Sequence, residues 1–185
     1  MSHYNSNHFG CGFAVGQELR KLIHEHPKAG SPIVLLCIGT DRSTGDSLGP
    51  LIGYKLSRRK IRGLTIYGTL NSPVHAMNLE ETLANIKEKH PDALVIAVDA
   101  SLGTKAHIGR ITLGVGSLKP GAGVNKKHLP EAGDIFITGV VNFSGMFDNM
   151  LLQSTRLSIV MQMADCISLG IFSALLYKEQ ELLRQ

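Results

Sequence analysis

The sequence predicts an α/β domain with a mainly parallel sheet flanked by helices on both faces. Three observations predict it. Two continuous apolar runs, Ile33 to Ile38 (IVLLCI) and Ala93 to Val98 (ALVIAV), have the pattern of strands buried on both faces. Between them lie segments whose apolar residues recur at helical spacing. Strands and helices alternate along most of the chain, as βαβ units require.

The elements follow in order. Residues 1–12 are polar and rich in His and Asn, and predict a flexible tail ahead of a single domain over 13–185. An early amphipathic helix closes near His24 and His26. The strand at Ile33 to Ile38 is bounded by Pro32 and Gly39. Beyond the loop 39–46, Ser47 to Arg59 sets Leu48, Leu51, Ile52 and Leu56 at helical spacing. Pro50 falls in the first turn, where a missing N–H costs nothing. Leu64 to Tyr67 is a brief strand. Asn71, Ser72 and Pro73 then lead to a helix over about Met77 to Lys89, with Leu79, Leu83 and Ile86 on one face. The strand at Ala93 to Val98 ends at Asp99. Arg110 to Val115 and Asp134 to Val141 are further strands, and Gly114 to Gly133 is the longest irregular stretch, of a length that is often functional. From Leu151 to Arg184 the pattern is helical, with Gly170 as a break.

Composition excludes several classes. With 185 residues, 43% hydrophobic and 18% charged, the chain is long enough for a full core and too apolar for wholesale disorder. No run of 18 uncharged apolar residues occurs, and the stretch Ile167 to Tyr177 is too short to span a bilayer. The N-terminus lacks the regions of a signal peptide, so a cytoplasmic protein without a membrane partner is expected. Cys11, Cys37 and Cys166 form no CxxC pair; Cys37 and Cys166 read as small buried hydrophobes. The basic run Arg58, Arg59, Lys60 and Arg62 has no aromatic platform beside it, and a nucleic-acid partner is not expected.

Two loops leave buried strands and carry acids: Gly39 to Pro50 (GTDRSTGDSLGP) and Asp99 to Gly103 (DASLG). In open α/β sheets, ligands bind outside the carboxyl ends of the strands. If these strands are neighbours, Asp46 and Asp99 face one another there. Two close carboxylates share a proton, and such a pair activates water and protonates a leaving group. With a third group, they could instead ligate a divalent metal. The plainer readings are an N-cap for Asp46 and a turn acid for Asp99.

Residues 45–49 also spell G-x-S-x-G, the nucleophile elbow. That motif needs its serine on a sharp turn directly after a strand, whereas Ser47 lies nine residues beyond Ile38 and no His follows His128. A phosphate cradle fits poorly too, because Asp41 and Asp46 would repel the anion. His75, His107 and His128 lie in loops near the expected site, where each could serve as base or metal ligand, although no paired-ligand spacing singles one out.

The runs GTDRSTGDSLGP, LNSPVHAMNLEETL, PDALVIAVDASLG and LKPGAGVNKKHL, in that order over about residues 32 to 145, resemble the bacterial germination protease (spore protease) family. The likeness is greatest to its small sporulation-associated relatives. The resemblance implies a twisted, mainly parallel sheet in a three-layer α/β/α sandwich, the phosphorylase/hydrolase-like arrangement shared with hydrogenase maturation proteases. It implies an aspartic-type peptidase without a cofactor, with Asp46 and Asp99 catalytic. Thr44, Ser47, Ser101 and Asn125 are then expected to bind substrate, and the Pro120 to Asn125 loop to lie beside the site. Small acid-soluble spore proteins are the implied substrates, and the forespore or spore core the implied location. Two alternatives stand beside this. One is a non-catalytic regulatory or peptide-binding protein using the same cleft. The other is a nickel-binding endopeptidase, with His128 joining Asp46 and Asp99. This chain is about half the length of a full germination protease. A homo-oligomer is possible, with Met161, Met163, Ile167, Ile171 and Leu175 either in the core or on a dimer surface.

Overall fold

A computed structural model describes residues 1–121 and 129–182. Its elements in chain order are β1 (Ser2–Asn5), α1 (Cys11–Glu25), β2 (Ile33–Cys37), α2 (Leu48–Ser57), β3 (Leu64–Tyr67) and α3 (Leu79–Lys89). They continue with β4 (Leu94–Gly103), β5 (Arg110–Val115), β6 (Ile135–Phe143), α4 (Asp148–Gln153) and α5 (Leu157–Leu182). Among the described residues the sheet has six strands, in the order β1-β5-β6-β4-β2-β3. The pairs β2–β3, β2–β4 and β4–β6 are parallel, and β5 is antiparallel to both its neighbours.

Side chains alternate across the sheet, so each inner strand supplies two cores. Ile33, Leu35 and Cys37 of β2, with Leu94, Ile96 and Val98 of β4, pack under α1, α2 and α5. Val34 and Leu36, with Ala97, pack against Leu79 and Ile86 of α3. Helices therefore cover both faces, and the expected three-layer sandwich is present. Leu19, Leu35, Leu48, Ile52 and Leu56 are wholly buried, each worth roughly 1.5–3 kcal/mol of transfer free energy. Burial pushes the Cys37 thiol far above its ordinary pKa, consistent with a structural role.

Three expectations are corrected. First, residues 1–12 are not a tail: Ser2 to Asn5 pair with Leu113 to Arg110, and Cys11 opens α1. This strand covers the outer edge of β5, and the Gln162 side chain anchors the next residue by donating to the Ser6 carbonyl at 2.9 Å. Removing residues 1–5 is expected to cost on the order of 2–3 kcal/mol in lost ladder bonds and packing, read as a Tm lowered by roughly 5–10 °C.

Second, Gly170 does not break α5. A Cβ there would lie 2.6 Å from Val15 Cγ1 and 3.1 Å from the Gly12 carbonyl oxygen, so the glycine lets α1 and α5 pack closely. Third, α5 has a segment, Leu157–Leu176, long and apolar enough by length and composition to cross a membrane. Its apolar residues are largely spent on the protein's own core. Met163, Ile167, Ile171 and Leu175 are buried there, which removes them from a dimer surface.

The basic run is exposed, and two of its members lie over rings within the chain: Arg58 over Tyr54 at 5.6 Å and Arg59 over Phe172 at 4.2 Å.

Candidate functional site

The site follows from where strands stop. β2 pairs with β4 only as far as Cys37 opposite Val98. From there the chain turns away into loop 39–46 and α2. β4 does not end at Asp99 as the sequence suggested. It continues beside β6 to Gly103, with a register shift between Ser101 and Leu102. Asp99 therefore stands one residue past its last β2 partner, on a strand held from the other side by β6. From β2 the chain leads outward to β3, and from β4 it leads the opposite way, so the crevice between them is the topological switch point.

Loop 39–46 folds back onto this crevice. The Thr40 N–H donates to the Asp46 carbonyl at 3.0 Å, and Gly39 N–H donates to the Val74 carbonyl at 2.8 Å. Gly39 has φ +138°, and a Cβ on it would collide with the Asp46 carbonyl oxygen, so glycine is what permits this closure. Asp46 sits in a single 3-10 turn, Gly45–Ser47, that runs directly into α2.

A cavity of about 490 Å³ opens here, lined by Asp46 and Asp99 together with Arg42, His75, Ser101 and Gly121. Along Asp99 to Leu102 and Gly121 it meets a second cavity of about 470 Å³, bordered by Lys119 and Thr138. Asp99 is 7% exposed. Burial, and after it the charge of Asp46, push its carboxyl well above the usual aspartate range, against the pull of backbone N–H groups of Ala100 and Gly121. Asp99 thus keeps its proton where an exposed aspartate has lost one.

That has a consequence for stability. Folded Asp99 holds its proton above pH 3.8, the ordinary value, while unfolded Asp99 releases it. Its contribution to stability is complete below that pH and declines as pH rises toward the folded pKa. An Asp99→Asn variant lacks this decline, so its Tm is expected to gain on the parent's as pH climbs above about 4. Thermal melts of both across pH 3–8 check it; parallel curves would contradict it.

The other expected site residues divide. Ser101 lines the cavity, as do Pro120 and Gly121 at the start of the Pro120 to Asn125 loop. Ser47 and Thr44 do not line it. The Ser47 hydroxyl donates to the Thr44 carbonyl at 2.6 Å and the residue is 6% exposed, so this pair braces the start of α2. The same bond leaves Ser47 without the exposed position that a nucleophile needs. Asn125 and His128 lie outside the described residues. His107 lines a different cavity with His3 and His8. Of the loop histidines that can be placed, His75 alone lines the cavity holding the two aspartates. Among the described residues, no three His, Cys, Asp or Glu side chains converge to hold a metal ion. The nickel alternative therefore needs a ligand from outside them.

Residues 12–170 match the family described as "Protein of unknown function (DUF1256)". The chain belongs to the DUF1256 family. It is 52% identical over 143 residues to the "Uncharacterized protein YyaC" of Bacillus subtilis (strain 168), covering 77% of this chain and 69% of that one. Among solved structures, it is similar to the [NiFe] hydrogenase maturation protease HycI from Thermococcus kodakarensis KOD1. That likeness has a TM-score of 0.54 and 20% identity, over 84% of this chain and 99% of the other. A peptidyl-tRNA hydrolase is similar with a TM-score of 0.50 and 11% identity, over 82% and 95%. At these identities the likeness is one of fold. The DUF1256 chain described here has an α/β architecture that hydrolases also use.

Proposed function

We propose that this protein hydrolyses peptide bonds with Asp46 and Asp99 as a carboxylate pair sharing one proton. The observation that supports this most is Asp99: buried, beside Asp46, at the switch point, with its carboxyl pushed well above the usual aspartate range by burial and by the charge of Asp46. Two carboxyls whose environments push their pKa values apart are the arrangement acid–base hydrolysis uses.

The step balances without a cofactor. Asp46 takes a proton from a water whose oxygen bonds to the carbonyl carbon. The proton on Asp99 passes to the leaving nitrogen as the C–N bond breaks. The proton gained by Asp46 then returns to Asp99, and the pair is restored. The two cavities meeting at Asp99 give room for chain on both sides of the bond.

The resemblance to germination proteases supports small acid-soluble spore proteins as substrates, and a role in the cytoplasm of the forespore. Incubating the purified protein with these substrates, followed by mass spectrometry, tests it. Defined fragments are expected from the parent. Co-purification of such a protein uncut would favour a regulatory, peptide-holding role over turnover.

A further inference from the structure

His75 is more firmly built into the site than a loop histidine needs to be. Its backbone is fixed on both sides. Val74 bridges to Ile38 at the end of β2, and the His75 N–H donates to Asn78 Oδ1 at 2.8 Å. Its carbonyl accepts the Asn78 and Leu79 N–H groups at 3.1 and 3.0 Å, and Asn78 in turn donates to the Pro73 carbonyl. The ring is fixed as well, because Nδ1 accepts the Met77 N–H at 3.3 Å. In the neutral ring an accepting Nδ1 carries no proton, which places the ring proton on Nε2.

Nε2–H is therefore the polar group this ring has left to offer the cavity it lines with Asp46 and Asp99. The three side chains border one space without converging into a metal-binding set. The space they border is the cavity of about 490 Å³.

We propose that His75 is a substrate-contacting residue of this site, its Nε2–H donating to the carbonyl oxygen of the bond to be hydrolysed. The inference rests on the peptidase reading above. The carboxylates supply the base and the acid, and neither stabilises the charge that builds on the carbonyl oxygen as water adds. A fixed donor directed at that oxygen lowers the barrier while costing no reorganisation.

A structural alternative exists: Nδ1 merely caps the turn leading into α3. His75→Asn separates the two. An asparagine side chain makes the same bond to the N–H two residues on, as an Asx-turn, and has nothing in the place of Nε2–H. The expected result is a Tm equal to the parent's, with kcat on a cleaved polypeptide down about 10²–10³-fold and KM little changed. An equally active His75→Asn variant beside an active parent overturns the inference alone. A parent that cleaves no polypeptide overturns the peptidase reading and this inference with it.

A second measurement stands if the variant folds poorly. In the parent, nitrogen-15 NMR of the histidine rings is expected to show the His75 proton on Nε2. That signal should move when a peptide aldehyde, whose hydrate mimics the tetrahedral adduct, is added to saturation. A proton on Nδ1, or an Nε2–H signal that stays in place, overturns the proposal.

Discussion

Replacing Asp99 by Asn is expected to lower kcat for polypeptide cleavage by about 10²–10⁴-fold while leaving the fold intact. The reason is local. Asp99 is buried and its carboxyl is pushed toward the neutral form, so an amide of nearly the same shape takes its place. What goes, in the proposed reaction, is the proton delivered to the leaving nitrogen. Asp46→Asn should cost a similar factor for the opposite reason, since the amide cannot take a proton from water. The parent's pH–rate profile should be bell-shaped, its two apparent values belonging to the pair rather than to either residue. Full activity in either variant would remove the carboxylate pair from the account.

The second large effect is expected at Gly49, in the first turn of α2. A Cβ there would lie 2.9 Å from both the carbonyl carbon and the nitrogen of Ile38, and closer still to the carbonyl oxygen. All three are backbone atoms at the end of β2, so no side chain can swing aside. Gly49→Ala must push α2 off the strand, at a cost of about 3 kcal/mol or more. The Tm should fall by roughly 6–12 °C. Asp46 stands three residues earlier on the same segment, and a displacement of about 1 Å at a reacting group can cost on the order of 10²-fold in rate. Stability and activity should therefore fall together. Gly63→Ala makes the control, because Gly63 has φ +73° but open space around its Cβ position. There the cost is about 1–2 kcal/mol of left-handed backbone strain, with kcat unchanged. A Gly49→Ala variant melting with the parent would contradict this picture of how α2 is seated.

The inner sheet was legible because its strands are buried on both faces and so appear as unbroken apolar runs, as at Ile33 to Cys37. The outer strand β1 was not. Its four residues, SHYN, alternate in burial, and their partners lie more than a hundred residues away in β5, so the pairing leaves no local trace. Gly170 misled for a related reason. Read locally it is a helix breaker, and only the position of Val15 on α1 shows why a glycine stands there.

The site divides in the same way. Asp46 and Asp99 were expected at one place because each lies beyond an apolar run at the end of the sheet where open α/β folds bind ligands, and both line the same cavity. That β4 runs on past Asp99 depends on its pairing with β6, which the run ALVIAV does not encode. Thr44 and Ser47 were expected to bind substrate from the resemblance around Asp46, but the 3-10 turn directs the Ser47 hydroxyl back onto its own backbone. His75 could not be told from His107 in sequence, since only the bridge from Val74 to Ile38 carries one of these loops to the end of β2.

The most direct measurement is digestion of a proteome-derived peptide library by the purified parent, Asp46→Asn and Asp99→Asn proteins in parallel, with new termini identified by mass spectrometry. A defined set of new termini is expected from the parent and none above background from either variant. No cleavage by the parent, or the same termini from all three proteins, would contradict it.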